Sequence, residues 1–256
     1  RFLAHLSQIG RKPATVHNRY RALKSFFGWL ADRGDDGAAL IVRSPMERMK
    51  PPILPEPRTP LLRDEEVARL LQVCKRDRTF EGTRDHALIM FMLNTGARRA
   101  EVVGMRWLAD EDDPKNSIID WRRGLLRLYG KGRRERIIHI DEEVVAVVRK
   151  YTRARKRHKY AGSESLWLGL RGPLLGNGLM QLIKRRGRQA GLPGLHPHQL
   201  RHQFSHEYLV AGGRESDLMA LNGWHTSAMV RRYAASAQQE RAIEAHRSLR
   251  LSNRGN

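Results

Sequence analysis

Apolar positions divide this chain into stretches of helical and of strand period. Val16, Tyr20, Leu23, Phe27 and Leu30 recur at three- and four-residue steps, which predicts a helix opening on Pro13 and stopping at Gly34. Asp64 followed by Glu65 and Glu66 resembles an N-cap and an acidic first turn, and predicts a helix through Cys74. Arg84 to Asn94 is almost wholly apolar from Ala87 to Leu93, as expected of a helix central to a core. The period then shortens to two. Leu125 to Tyr129 and Ile137 to Ile140 are β-type runs joined by Gly130-Lys131-Gly132-Arg133, a hairpin turn. From Glu142 the helical pattern returns and persists mostly to about Arg247.

These elements predict a mainly α fold with a small β-hairpin or sheet: an α+β domain preceded by a smaller, all-helical one. The seam is Lys50 to Pro60, where five of eleven residues are proline and the chain favours an extended strap. We expect a helical domain over 1–50, a linker over 51–60 and the larger domain over 61–256. The chain opens on Arg1 rather than Met, which points to a truncated leading helix. No internal repeat or low-complexity tract is visible.

Charge changes the picture. Lys and Arg total 48 against 27 Asp and Glu, a formal balance of +21 over 256 residues, which attracts polyanions. Nucleic acid, an anionic membrane and acidic protein are the candidates. Membrane is the weakest, because no apolar run approaches the ~18–20 residues of a spanning helix and no charged-then-apolar leader opens the chain. The single cysteine, Cys74, fits a reducing cytoplasm and sits in an apolar helical pattern as a buried small hydrophobe. Arg149 to Lys159 is densely basic, and suits a solvated helix face and a phosphate-tracking surface equally.

Against that background, three stretches supply chemistry. Thr95-Gly96-Ala97-Arg98-Arg99-Ala100-Glu101 offers an arginine braced by an acid three residues on. His198-Gln199-Leu200-Arg201-His202 follows Pro197 and places His198 and Arg201 on one helix face. Gly223-Trp224 leads, nine residues later, to Tyr233. A phosphodiester repels nucleophiles, and its nonbridging oxygens gain charge as a fifth oxygen approaches. Fixed cations and donors aimed at those oxygens answer both problems. Arg98 and Arg201 can grip the oxygens with planar forks, and His198 can exchange a proton or donate a hydrogen bond. Lys131 at the hairpin tip can serve the leaving oxygen, and Trp224 adds an indole donor. Tyr233 would then be the nucleophile, its ionisation eased by the cations. Glu101 and His202 are expected to support this group, while Lys12, Arg19, Lys24, Arg133 and Arg134 are candidate DNA contacts.

Each motif alone is weak: most Thr-Gly-x-Arg arginines are surface residues, and Gly-Lys-Gly is usually a flexible turn without the pattern of a phosphate-binding P-loop. Their order and spacing carry the reading. A metal rival exists, since His198, His202 and His206 recur every four residues, but zinc is the weaker reading. We therefore expect no metal and no cofactor.

Together these residues resemble those of the tyrosine recombinase (phage integrase) family. The segment around Arg98 is similar to its first arginine box, Gly130-Lys131-Gly132 to its hairpin lysine, His198 to His202 to its second box, and Gly223 to Tyr233 to its closing motif. Many members carry histidine where this chain has Trp224. The resemblance implies a C-shaped clamp on duplex DNA, made of a core-binding and a catalytic domain. It also implies a 3′-phosphotyrosine with a free 5′-hydroxyl, strand exchange through a Holliday junction in a homo-tetramer, and a tail after Tyr233 that packs on a neighbouring subunit. Accessory directionality or bending proteins, and a prokaryotic cytoplasmic, nucleoid-associated location, are further expectations. A type IB-like topoisomerase and a catalytically silent DNA-binding protein are the rival readings.

Overall fold

The computed structural model describes residues 1–32, 39–54, 60–107, 118–129 and 135–249. The chain separates into two compact units, Arg1–Thr59 and Pro60–Asn256.

In the first unit, α1 (Phe2–Gln8) precedes α2 (Pro13–Ala31). Pro13 begins α2 because its fixed φ and absent N–H suit a first turn. Val16 and Tyr20 are buried, and Leu23, Phe27 and Leu30 half-buried, so the apolar stripe faces inward as its period requires. The helix ends at Ala31, before the expected stop; Gly34 lies outside the described residues. Beyond it the chain folds back on α2. The Tyr20 hydroxyl donates to the Met49 carbonyl at 2.7 Å, and the His17 ring meets the Pro52 carbonyl at 3.2 Å. The Pro52 carbonyl is thus held against α2.

The second unit opens with α3 (Asp64–Arg76) and α4 (Phe80–Thr95). The N-cap of α3 is Arg63, one residue before the expected Asp64. Glu66 supplies the capping instead, its carboxylate accepting the Arg63 backbone N–H at 2.9 Å. Ala87, Leu88, Ile89, Phe91 and Met92 of α4 are fully buried, and α4 packs against α3, α6 (Glu142–Arg155) and α8 (Pro197–Val210). It is the central helix that its apolar run predicts. Cys74 is buried beside it, and burial pushes its thiol up to about 12.

A three-stranded antiparallel sheet flanks this core: β1 (Ile118–Asp120), β2 (Leu125–Tyr129) and β3 (Glu135–His139), in that order. The hairpin is where the sequence puts it; β1 was not expected. Leu126 pairs with Ile138 and Leu128 with Arg136, and these four positions share the buried face. A second small ribbon, β4 (Leu168–Gly169) with β5 (Gly172–Pro173), interrupts the stretch expected to be helical, before α7 (Gly176–Gln189). Just ahead of it, Trp167 stacks on Tyr151 with centroids 5.0 Å apart.

The basic run after Arg149 corrects its own reading at one residue. Arg155 is fully buried, and its guanidinium donates to the main-chain carbonyls of Ala161, Ser163, Ser165 and Leu166. It is an internal brace, whereas Arg149, Lys150, Arg153, Lys156, Arg157 and Lys159 are exposed.

Finally, α9 (Glu215–Asn222) and α10 (Ser227–Ser248) close a smaller apolar cluster with α8: Phe204, Leu209, Leu218, Val230, Tyr233 and Ala237. Residues 60–62 tie onto α8, because Gln203 exchanges hydrogen bonds with both backbone groups of Leu62, at 2.7 and 3.0 Å, and Gln199 donates to the Pro60 carbonyl at 2.9 Å.

Candidate active site

Two helix C-termini shape the site. Gly96 ends α4 and Gly223 ends α9, both with positive φ (57° and 59°), a conformation open to glycine at little cost. A Cβ at Gly96 would also fall 2.3 Å from the Phe204 ring. These turns aim carbonyls at the two arginines. Arg201, on α8, donates to the Gly96 carbonyl and, at 2.7 Å, to the Asn222 carbonyl. Arg98 donates to the next carbonyl, that of Gly223, at 3.1 Å. Two guanidiniums separated by a hundred residues therefore sit on adjacent carbonyls at the negative end of one helix.

Burial differs between them. Arg201 is 5% exposed, and removal from water, with Arg98 and Arg136 adding like-charge repulsion, lowers its pKa to about 9. It remains charged at neutral pH. The Arg98 side chain keeps 36% of its surface and is the more open of the pair.

Glu101 braces Arg98, but not along a helix face. Arg98 is the extended N-cap of α5 (Arg99–Val103), and Glu101, its N3 residue, accepts the Arg98 backbone N–H at 2.6 Å and its guanidinium at 3.0 Å. Arg136 of β3, which the sequence reading passed over, donates to both oxygens of the same carboxylate. Burial works against the Glu101 charge, yet the pull of Arg136 and of the Arg98 groups wins and holds its carboxyl below the usual range. The available signal was parity: Arg136 occupies the same strand face as Ile138, where an apolar side chain is expected.

On the other side of Arg201, Trp224 is half-buried, with the Arg201 guanidinium 5.5 Å from its ring centroid. The same indole stacks on Tyr233, with centroids 5.3 Å apart and planes 11° from parallel. Tyr233, on α10, is 7% exposed, and its hydroxyl contacts Nδ1 of His202. His198 opens α8 and is exposed. Partial removal from water, then the nearby His196, Arg201, Arg99 and Arg98, lower its pKa from 6.5, which favours the neutral ring at pH 7.

The structure thus brings together Arg98, Glu101, Arg201, His202, Trp224 and Tyr233, and adds Arg136 and the Asn222 carbonyl. Lys131, Arg133 and Arg134 lie outside the described residues. Lys12, Arg19 and Lys24 are exposed on the first unit. The three histidines of α8 have separate surroundings: His206 meets Glu240 at 2.8 Å and Ser236 at 3.3 Å, both on α10, while His202 meets Tyr233. The acid that meets His206 comes from α10. Among the described residues no three potential metal ligands cluster, and no helix is long and apolar enough to cross a membrane.

A polar clamp of this composition on a mainly helical scaffold defines a class, and comparison with known proteins agrees. The chain belongs to the phage integrase family, whose model matches residues 60–240, and it is a tyrosine-type site-specific recombinase. The tyrosine recombinase XerC of Roseiflexus castenholzii is 31% identical over 231 residues, covering 88% of this chain and 69% of that protein. XerA of Thermococcus kodakarensis is 30% identical over 217 residues, covering 83% of this chain and 67% of that protein. Among solved structures, XerH bound to palindromic difH substrate in a post-cleavage complex matches with a TM-score of 0.74 at 17% identity, covering 95% of this chain and 69% of that one. A lambda integrase dimer bound to a core site matches with a TM-score of 0.65 at 16% identity, over 91% and 77% of the two chains. At these identities the structural matches show the shared fold.

Proposed function

We propose that this recombinase cuts and rejoins duplex DNA through a covalent 3′-phosphotyrosine, without metal or ATP. The observation that carries the reading is the meeting of Arg98 and Arg201 on the adjacent carbonyls of Gly223 and Asn222, next to an indole that stacks on Tyr233. That arrangement links the two positive forks, through Gly223 and Trp224, to the phenol.

In the proposed reaction the Tyr233 oxygen bonds to the scissile phosphorus and the bond from phosphorus to the 5′-oxygen breaks. The phenol proton passes to His198, which partial removal from water and the nearby arginines keep neutral and able to accept it. Lys131 protonates the leaving 5′-oxygen. Arg98 and Arg201 absorb the charge that builds on the nonbridging oxygens, a contribution worth ~2.7–4 kcal/mol per donor in comparable oxyanion sites. Trp224 supplies packing and an N–H but moves no proton. Because the phosphotyrosine keeps the energy of the broken bond, a 5′-hydroxyl can reverse the step. Tyr233 is nearly buried against His202, so the phenol must turn toward the phosphate when DNA is bound.

The difH substrate and core site bound by the solved neighbours, and the +21 balance, support double-stranded DNA as the partner. We extend the proposal to a homo-tetramer on paired sites, with accessory proteins setting direction. The first unit, with Lys12, Arg19 and Lys24, would act as the core-binding domain. Arg133 and Arg134 would add phosphate contacts from the hairpin.

A nicked suicide duplex, whose short 5′-hydroxyl fragment diffuses away, tests the reading. The wild-type chain should give a protein–DNA band that survives denaturant and persists in EDTA, and Tyr233→Phe should abolish it. An adduct unchanged by that substitution, or cleavage that EDTA stops, would overturn the mechanism.

A further inference from the structure

We infer that Arg136 is a positioning residue for strand cleavage: by occupying both oxygens of Glu101 it keeps the acid from sequestering Arg98. The inference rests on the role proposed above for Arg98.

Arg136 is 8% exposed and Glu101 likewise, so both charges are committed to the protein interior. The Arg136 guanidinium donates through Nη1 to one Glu101 oxygen at 2.7 Å and through Nη2 to the other. Arg98 reaches the same carboxylate with one Nη at 3.0 Å, and its other Nη goes to the Gly223 carbonyl. Arg98 is thus held at two separate points while its side chain keeps 36% of its surface. The carboxylate is shared, and Arg136 takes the bidentate share.

Without Arg136, a buried carboxylate would hold one cationic neighbour in reach of its side chain, Arg98. A carboxylate and a guanidinium left alone favour a two-point fork, fork to fork. Arg98 would rotate into that pairing, leave the Gly223 carbonyl and turn away from the position that a phosphate oxygen would take. Both arginines border Gly223. A Cβ there would lie 3.5 Å from Arg98 and 3.7 Å from Arg136, so the two guanidiniums flank the same glycine. Among the described residues, the buried Nε of Arg136 has no hydrogen-bond partner, so both of its donating contacts go to the carboxylate.

The test compares wild type, Arg136→Met, Arg136→Lys and the double variant Glu101→Gln/Arg136→Met on the suicide duplex, at saturating protein and normalised to the adduct-forming fraction. Wild-type adduct formation is the control: if it is absent, the function proposed above fails and this inference is moot with it. Given that adduct, Arg136→Met should slow the saturated rate roughly 10- to 100-fold through misplacement of Arg98, with half-saturating DNA concentration unchanged. Removing the Glu101 charge should restore part of the loss, so the double variant should cleave faster than Arg136→Met alone. Arg136→Lys should fall between wild type and Arg136→Met, since an ammonium neutralises Glu101 without gripping both oxygens, and it decides the matter should the Met variant not fold. A wild-type saturated rate in Arg136→Met or Arg136→Lys overturns the inference. So does a double variant no faster than the single, because the loss would then not pass through Glu101. A lower adduct-forming fraction with a normal rate would show a purely structural role and would overturn it as well.

Discussion

His198 shows how the site sets a side chain's chemistry from its neighbours. It is exposed, yet partial removal from water and the nearby His196, Arg201, Arg99 and Arg98 push its pKa below 6.5. A base must be neutral to accept a proton, so cleavage depending on His198 should fail as pH drops through that lowered value. We predict that the acid limb of kcat/KM lies below pH 6.5 and disappears in His198→Gln, whose residual rate should be low and flat. An acid limb that survives the substitution would assign it to another group. The motif residues at this scale were legible because their roles constrain their spacing: Pro197 must open the helix that carries His198 and Arg201, and Trp224 must precede Tyr233 by a fixed step. Arg136 was not legible in the same way. An arginine in a basic chain suggests surface, and only its place on the buried parity of β3 betrays it.

At the scale of elements, periodicity reported faithfully on what faces the core, and poorly on what ends an element. The stripe of α2 and the apolar run of α4 are buried as their spacing requires. The start of α3 was displaced by one residue, because residue preference favours Asp64 whereas Glu66 reaching back to Arg63 is what caps the helix. The strands β1, β4 and β5 are two or three residues long, too short for any period to show. Arg155 is the clearest failure of a composition argument. It lies in a run of exposed basic residues, but its guanidinium satisfies four carbonyls of the loop before β4. Replacing it with Met would keep most of the volume but remove the donor from all four carbonyls, of which the buried one of Leu166 has least access to water. We expect Arg155→Met to cost about 3 kcal/mol, or roughly 6–12 °C of thermal midpoint for a domain of this size. Exposed Arg153→Met should shift the midpoint within error, and equal shifts in the two variants would return Arg155 to the solvated face.

Across the whole molecule, a balance of +21 is far more charge than the site consumes. Arg98, Arg136 and Arg201 are spoken for by Glu101 and by main-chain carbonyls, and Arg155 by its loop. The exposed remainder, including Lys12, Arg19 and Lys24 on one unit and Lys150, Arg153 and Arg157 on the other, is available to displace counterions from a DNA backbone. Each phosphate neutralised contributes a slope of about −0.9 to the dependence of log K on log salt. If six or more of these side chains meet phosphates, affinity for a long non-specific duplex should fall by about 10³ or more between ~50 and ~200 mM monovalent salt. Tyr233→Phe should follow the same slope, since loss of the phenol removes chemistry and not charge, and this separates binding from the covalent step. Equilibrium binding of both proteins across that salt range would settle the matter. A slope near zero would mean that the surplus does not face DNA, and that the basic surface of this recombinase answers to another polyanion.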